Sequence, residues 1–172
     1  GLIKDQASSD FFNDIDLGAG TITFTDSGDV SHSQTISGVE NIDASGQADA
    51  DVDLNITGDD GANLIQVGAG EDTVSTGGGD DAIRGLAARF TAGDVIDGGS
   101  GDDTVEIVAD ADGTGAVLDD LVSVENIKIV ADGAKNADVA LTYTSANTDS
   151  ISIDASALTN SSAAFTFVAP DA

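Results

Sequence analysis

The chain has no Cys, no Met and no Trp, and only one Pro, one Tyr and one His in 172 residues. Without Cys there is no disulfide framework, no thiolate metal site and no Cys nucleophile. A single histidine, His32, excludes a multi-histidine zinc site and leaves little for acid–base catalysis. Five Lys+Arg face 32 Asp+Glu, a formal charge of −27, so the chain has no basic footprint for nucleic acid or anionic lipid. No apolar run approaches the roughly 20 residues of a membrane helix. With no Met the chain carries no start codon of its own, and the expectation is that it is processed or cut from a longer chain. Its opening residues, Gly1-Leu2-Ile3-Lys4, do not read as a secretory signal.

What is present is unevenly chosen. Only Glu40, Glu71, Glu106 and Glu125 are glutamate, so the other 28 acids are aspartate, a turn former and a hard oxygen ligand. Glycine is abundant at 21. So much charge favours disorder, yet 40% of the residues are hydrophobic, enough for a core once the charge is neutralised. Strand alternation recurs at residues 20–25, 50–57, 138–144, 150–154 and 164–168. Helical period is weak, and short helical turns are expected only near 9–14, 85–90 and 117–122.

A nine-residue period runs through the middle. Residues 58–84 divide into Gly58-Asp59-Asp60-Gly61-Ala62-Asn63-Leu64-Ile65-Gln66, Val67-Gly68-Ala69-Gly70-Glu71-Asp72-Thr73-Val74-Ser75 and Thr76-Gly77-Gly78-Gly79-Asp80-Asp81-Ala82-Ile83-Arg84. After a four-residue slip (Gly85 to Ala88) the register resumes. It continues as Arg89-Phe90-Thr91-Ala92-Gly93-Asp94-Val95-Ile96-Asp97 and Gly98-Gly99-Ser100-Gly101-Asp102-Asp103-Thr104-Val105-Glu106. The sixth position is Asn or Asp throughout, the eighth is Ile or Val throughout, and the fourth is Gly in all but one nonad.

This pattern resembles the G-G-x-G-x-D-x-U-x nonapeptide of repeats-in-toxin (RTX) proteins. The last nonad is a full match, and the fourth keeps only its Asp and Ile. The resemblance implies an all-β fold, a parallel β-roll or β-solenoid with bound calcium. Six residues turn and three form a strand, whose central apolar residue (Ile65, Val74, Ile83, Ile96, Val105) points inward and stacks on its counterparts. Glycine lets the turns take positive φ and approach closely. Carbonyls and aspartates then crowd together, and five basic residues are too few to neutralise them. A hard dication with six to eight oxygen ligands would do so, and calcium tolerates irregular cages better than magnesium.

Successive nonads of such a roll face opposite sides, so ions belong between turns two nonads apart. One stack would use Asn63, Asp81 and Asp103, the other Asp72 and Asp94. Asp59, Gly58, Gly61, Gly68, Gly70, Gly77, Gly79, Gly99 and Gly101 complete the metal-holding turns. About three or more Ca2+ ions are expected, with half-sites at the ends. Asp81/Asp103 has the best ligands, Asn63/Asp81 lacks one charge, and Asp72/Asp94 is weakest, because Arg89 to Ala92 replace its glycines.

The flanks echo each other. Val-Glu-Asn-Ile occurs at 39–42 and 124–127, residues 50–57 resemble 137–144, and Asp-Ala-Ser occurs at 43–45 and 154–156. These segments look like those flanking calcium repeats in bacterial surface-layer proteins and large adhesins. The expected organisation is a β-rich flank or cap at 1–49, the calcium-binding roll at 50–106 and a metal-poor β-rich flank or cap at 107–172.

Other candidates fare worse. Asp49, Asp51 and Asp53 have EF-hand spacing toward Asp60, but Leu54 stands where that loop needs Gly. Asp110-Ala111-Asp112-Gly113 reads as a hairpin turn and His32 as a surface residue. Paired carboxylates for glycoside hydrolysis have no aromatic platform beside them. Phe11, Phe12, Phe24, Phe165 and Phe167 suit end-caps or contact surfaces.

The expected function is that of a secreted or cell-surface calcium-binding structural protein, not an enzyme. Its folding and self-assembly into a surface layer, fibre or adhesin stalk depend on calcium. Its expected partners are identical subunits in a homo-polymer or array, with a cell-surface glycan as a further candidate, no nucleic acid and no membrane insertion. The rival reading is an export and folding module of a larger secreted enzyme or toxin. Asp81 serves two stacked sites, so Asp81→Ala is expected to damage calcium binding most in a titration of single-site variants. An equal loss in Asp49→Ala would show the assignment to be wrong.

Overall fold

The computed structural model describes residues 2–4, 11–25, 31–35, 39–47, 52–109, 114–131, 139–143, 150–158 and 165–168. Within them the chain forms β1 (Leu2–Lys4), β2 (Phe11–Asp16), β3 (Thr21–Thr25), β4 (Ser31–Thr35), β5 (Asn41–Asp43) and β6 (Asn55–Thr57). The nonads contribute β7 (Leu64–Gln66), β8 (Thr73–Ser75), β9 (Ala82–Leu86), β10 (Val95–Asp97) and β11 (Thr104–Ala109). Beyond them lie β12 (Thr114–Leu118), β13 (Asp120–Val122), β14 (Asn126–Ala131), β15 (Val139–Tyr143), β16 (Ser152–Asp154) and β17 (Phe165–Val168).

Consecutive nonads alternate between two sheets. One sheet has the order β1-β5-β7-β9-β11-β14-β16 and is parallel throughout. The other runs β13-β10-β8-β6-β2-β3-β4, parallel until β3 and β4 add an antiparallel meander. The expected all-β parallel solenoid is therefore present. A three-residue strand has too few bonds and too little surface to persist alone. Stacked, it pairs on both sides and buries its central residue against the rungs above and below. Ile42, Ile65, Ile83, Val105 and Ile127 form one inward column. Ile15, Ile56, Val74, Ile96 and Leu121 form the other, and all ten side chains are buried.

The four-residue slip widens the coil without breaking the stack. Asn63 and Asp81 are 18 residues apart, two nonads, whereas Asp81 and Asp103 are 22 apart. The extra residues continue β9 to Leu86 and then form a single 3-10 turn, Ala87–Arg89. Ala87 and Phe90 are buried there, and the Phe90 carbonyl accepts the Val117 N–H at 2.9 Å. This bond attaches β12, the first strand of a third parallel sheet, β12-β15-β17.

Three sequence expectations are corrected. Residues 11–14 belong to β2, and 117–118 and 120–122 to β12 and β13, rather than to helical turns, because the apolar residues of those strands (Ile15, Leu118, Leu121) continue buried rows. Among the described residues of the 50–57 alternation, only Asn55–Thr57 is strand. Leu54 directs its N–H to the Asp72 carboxylate at 3.0 Å instead of a ladder carbonyl. Asp49 and Asp51, with residues 110–113, lie outside the described residues, as does the side chain of His32.

Ile83, fully enclosed between Ile65 and Val105, generates a prediction about the core. Ile83→Ala is expected to cost about 2–5 kcal/mol of unfolding free energy in calcium-containing buffer. Exposed Thr73→Ser should cost under about 0.5 kcal/mol in the same denaturant titration.

Candidate metal centre in the repeat turns

The sixth residue of each nonad immediately precedes a strand, so strand register fixes which of them meet. One ladder brings Glu40, Asn63, Asp81, Asp103 and Glu125 into line. The other brings Leu54, Asp72, Asp94 and Asp119 into line. The two expected stacks, Asn63/Asp81/Asp103 and Asp72/Asp94, are brought together. Glu125 and Asp119 extend them beyond the nonads and were missed, since neither lies in a glycine-rich turn. Their signal was the apolar residue two positions later, Ile127 and Leu121, the spacing found in each nonad.

Each aspartate reaches back one rung. Asp81 Oδ1 accepts the Asn63 N–H at 2.7 Å, Asp103 Oδ1 accepts that of Asp81 at 2.8 Å, and Glu125 Oε2 accepts that of Asp103 at 2.8 Å. Across the roll, Asp72 Oδ1 accepts the Leu54 N–H at 3.0 Å and Asp94 Oδ1 that of Asp72 at 2.7 Å. One oxygen of each carboxylate thus replaces a ladder carbonyl. The second oxygens of Asp72, Asp81 and Asp103, and Oδ1 of Asp119, are buried without a hydrogen-bond partner. Asp72, Asp81 and Asp103 are themselves no more than 2% exposed. Buried polar atoms are almost always paired, so four orphaned carboxylate oxygens in two aligned rows demand a partner of another kind.

The glycines set the remaining oxygens. Asp59, Gly77 and Gly99 stack, with the Gly78 N–H bonded to the Asp59 carbonyl at 3.0 Å and the Ser100 N–H to the Gly77 carbonyl at 3.0 Å. Gly99 has φ +80, and a Cβ there would overlap the Gly77 carbonyl. Gly61, Gly79 and Gly101 form the adjacent column, and a Cβ on Gly101 would strike the Gly79 carbonyl. A Cβ on Gly58 would overlap both the Thr76 carbonyl and Asn63 Oδ1. Gly98 is crowded in the same way, by the Ser123 carbonyl and Asp103 Oδ2. Thr76 occupies the corresponding place in the middle rung, and its buried hydroxyl donates to the Gly98 carbonyl at 2.7 Å.

The other stack is built differently. Val67 stands at the first position of its nonad and is buried in the core, with Gly85 and Phe90 packed against it. Gly68 abuts the Ala44 carbonyl and Gln47, and Gly70 abuts the Val52 carbonyl. Both Asp94 oxygens are engaged, Oδ2 by the Thr91 N–H at 2.7 Å. Asp72 Oδ2 and Asp119 Oδ1 are left.

Among the described residues, the cations with ion pairs lie away from these turns. Arg84 and Lys128 both pair with Glu106, at 3.1 and 3.2 Å, on the outer face of the first sheet. Among the described residues no three acidic or histidine side chains converge on one point. An ion held here would draw much of its coordination from backbone carbonyls, a donor set that suits calcium and is foreign to zinc. The orphaned oxygens, beside the carbonyls stacked at Gly58 and Gly77, fit such an ion. Asp81 and Asp103 would hold it, with carbonyls of the stacked turns.

Parallel three-residue strands, inward aliphatic columns and glycine–aspartate turns in register define a β-solenoid of nonapeptide repeats. The RTX calcium-binding nonapeptide repeat, in four copies, matches residues 57–87 and 92–106, and the interruption falls at the widened coil. That repeat is a non-catalytic structural module. No curated protein and no solved structure matches the chain.

Burial pushes the Asp72 carboxyl up to about 7 and the Asp103 carboxyl up to about 6, and it also raises Asp81 and Asp94. All four lie above the ordinary aspartate value of 3.8. The folded metal-free chain therefore holds protons that the unfolded chain releases, and its stability falls as pH rises. Denaturant titrations in chelator are expected to show greatest stability near pH 4, declining toward pH 7. Calcium needs the ionised carboxylates, so its affinity should run the opposite way and weaken as pH falls below about 7.

Proposed function

We propose that the chain is a secreted, calcium-dependent structural protein of the cell surface, whose folding and assembly are gated by the ion. The observation that carries this reading is the set of buried, partnerless carboxylate oxygens, those of Asp81 and Asp103 in one stack and of Asp72 in the other. Calcium would be held by Asn63, Asp81 and Asp103 in one stack and by Asp72 and Asp94 in the other, with the carbonyls of Asp59 and the turn glycines. Without the ion, a chain of charge −27 resists placing these acids one above another. With it, the turns lock and the aliphatic columns close, so binding free energy becomes folding free energy. Extracellular calcium modules work at about 10⁻⁴–10⁻³ M, so folding would be completed outside the cell.

Residues 50–106 are the ion-holding roll in this reading, and 1–49 and 107–172 are metal-poor flanks. The β2–β4 meander and the third sheet act as caps or as edges offered to neighbouring copies. Tyr143 stacks on half-exposed Phe167 of β17, with centroids 6.3 Å apart. This apolar feature on an acidic chain suits contact with an identical subunit in a layer or fibre. Among the described residues no helix is long and apolar enough to cross a membrane.

Sedimentation velocity in calcium and in chelator, at matched ionic strength and above pH 7 where the buried carboxyls are ionised, tests the reading. The expected result is a slow, expanded monomer in chelator that becomes compact and then polymeric with calcium. The same compact particle in both buffers would sink the proposal. A compact calcium-loaded monomer that never polymerises would favour a module of a larger secreted protein.

A further inference from the structure

The last nonad turn faces a rung that is not a nonad, and the space between them repeats the geometry of the repeat turns. Asp103 is fully buried, and its Oδ2 has no partner. Gly58, Thr76, Gly98 and Ser123 each follow a strand of the second sheet. Their register is set by N–H bonds from Gly58 to the Ser75 carbonyl, from Thr76 to Asp97 and from Gly98 to Val122. Ser123 thus holds the place of a turn glycine. It is also the one positive-φ residue other than glycine among the described residues, at φ +50. Such a backbone is unfavourable for serine and persists only where the surroundings enforce it. Its carbonyl oxygen and Asp103 Oδ2 converge on Gly98, where a Cβ would overlap both. Glu125 closes the rung. Its Oε2 accepts the Asp103 N–H at 2.8 Å, as the nonad aspartates do for the rung before, while its own N–H returns to the Asp103 carbonyl at 3.2 Å.

We propose that a divalent cation, calcium, binds between Asp103 and the Ser123–Glu125 segment, held by Asp103 Oδ2, the Ser123 carbonyl and the Glu125 carboxylate above Gly98. This site rests on the calcium reading of the repeats and extends it to a turn outside them. The donors are all oxygens, and one is a backbone carbonyl, a set that favours calcium over softer metals. Its consequence is mechanical. An ion at this junction fastens the nonad stack to β13 and β14, carrying the calcium-driven ordering past residue 106 into the metal-poor rungs. Asp119, in register with Asp94 and with its own orphaned Oδ1, sits at the matching place on the opposite stack, but the Asp94 oxygens there are already engaged.

The test counts ions in the full chain by equilibrium dialysis with elemental analysis. Hydrogen exchange of the Leu64–Gln66 and Asn126–Ala131 amides is followed in parallel. Glu125→Gln is expected to lose one calcium per chain and to raise exchange at 126–131, leaving 64–66 protected. Asp120→Asn, the same charge change at an exposed position, should keep every ion. If Glu125→Gln does not fold, Glu125→Asp keeps the charge but shortens the reach. It should weaken one class of ion about tenfold and leave the others unchanged. A wild-type ion count and wild-type protection in the glutamate variants would overturn the junction site alone. A wild-type chain that takes up no calcium would overturn both this site and the calcium reading beneath it.

Discussion

The structure depends on one unfavourable juxtaposition: carboxylates buried directly above one another along the axis of the roll. Strand register makes it unavoidable. Pairing Leu64 with Ala82 and Thr104 aligns the inward aliphatic residues, and the same pairing aligns Asn63, Asp81 and Asp103. The hydrophobic column lies two residues after the acidic column along each rung, and the two share a register. Satisfying the first therefore imposes the second. Burial and neighbouring acids raise the carboxyls, so the metal-free fold is held against its own charge. A cation among the turns would resolve both problems at once.

The basic residues reinforce this division of labour. Arg84, Glu106, Lys128 and Asp154 follow one another on successive rungs of the first sheet, positive and negative in turn. This ladder lies on the solvent side of the strands, where pairs contribute modestly and are screened by salt. The turns receive none of it. Thr76 shows how finely the turns are adjusted, since its hydroxyl fills the place that glycine leaves open at residues 58 and 98 and bonds the next rung.

Much of this was legible in the sequence. The nonad register fixed the inward columns and both acidic stacks, because an apolar residue two positions after each acid leaves only one way to stack the rungs. The slip at 85–88 was visible as a break in period, but not as the origin of a third side. That depended on Phe90 turning into the core and on its carbonyl meeting Val117, which are tertiary facts. Glu125 and Asp119 were missed because glycine content guided the search, whereas position relative to the following strand decides membership. The described parts of the helical turns expected at 9–14 and 117–122 gave way to strands because neighbouring rungs offered their backbones partners, overriding weak local preference.

The alternation of nonads between two sheets imposes a parity rule on length. Each pair of nonads adds one strand to each sheet and lengthens the rod by about 4.8 Å, the spacing of neighbouring strands. Loss or gain of a pair would leave the cross-section and every downstream contact unchanged. Loss of a single nonad would transfer each later strand to the opposite sheet, setting β11 where β10 lies and separating the widened coil from β12. Such a rod can be varied only in even steps, like a ruler whose divisions come two at a time.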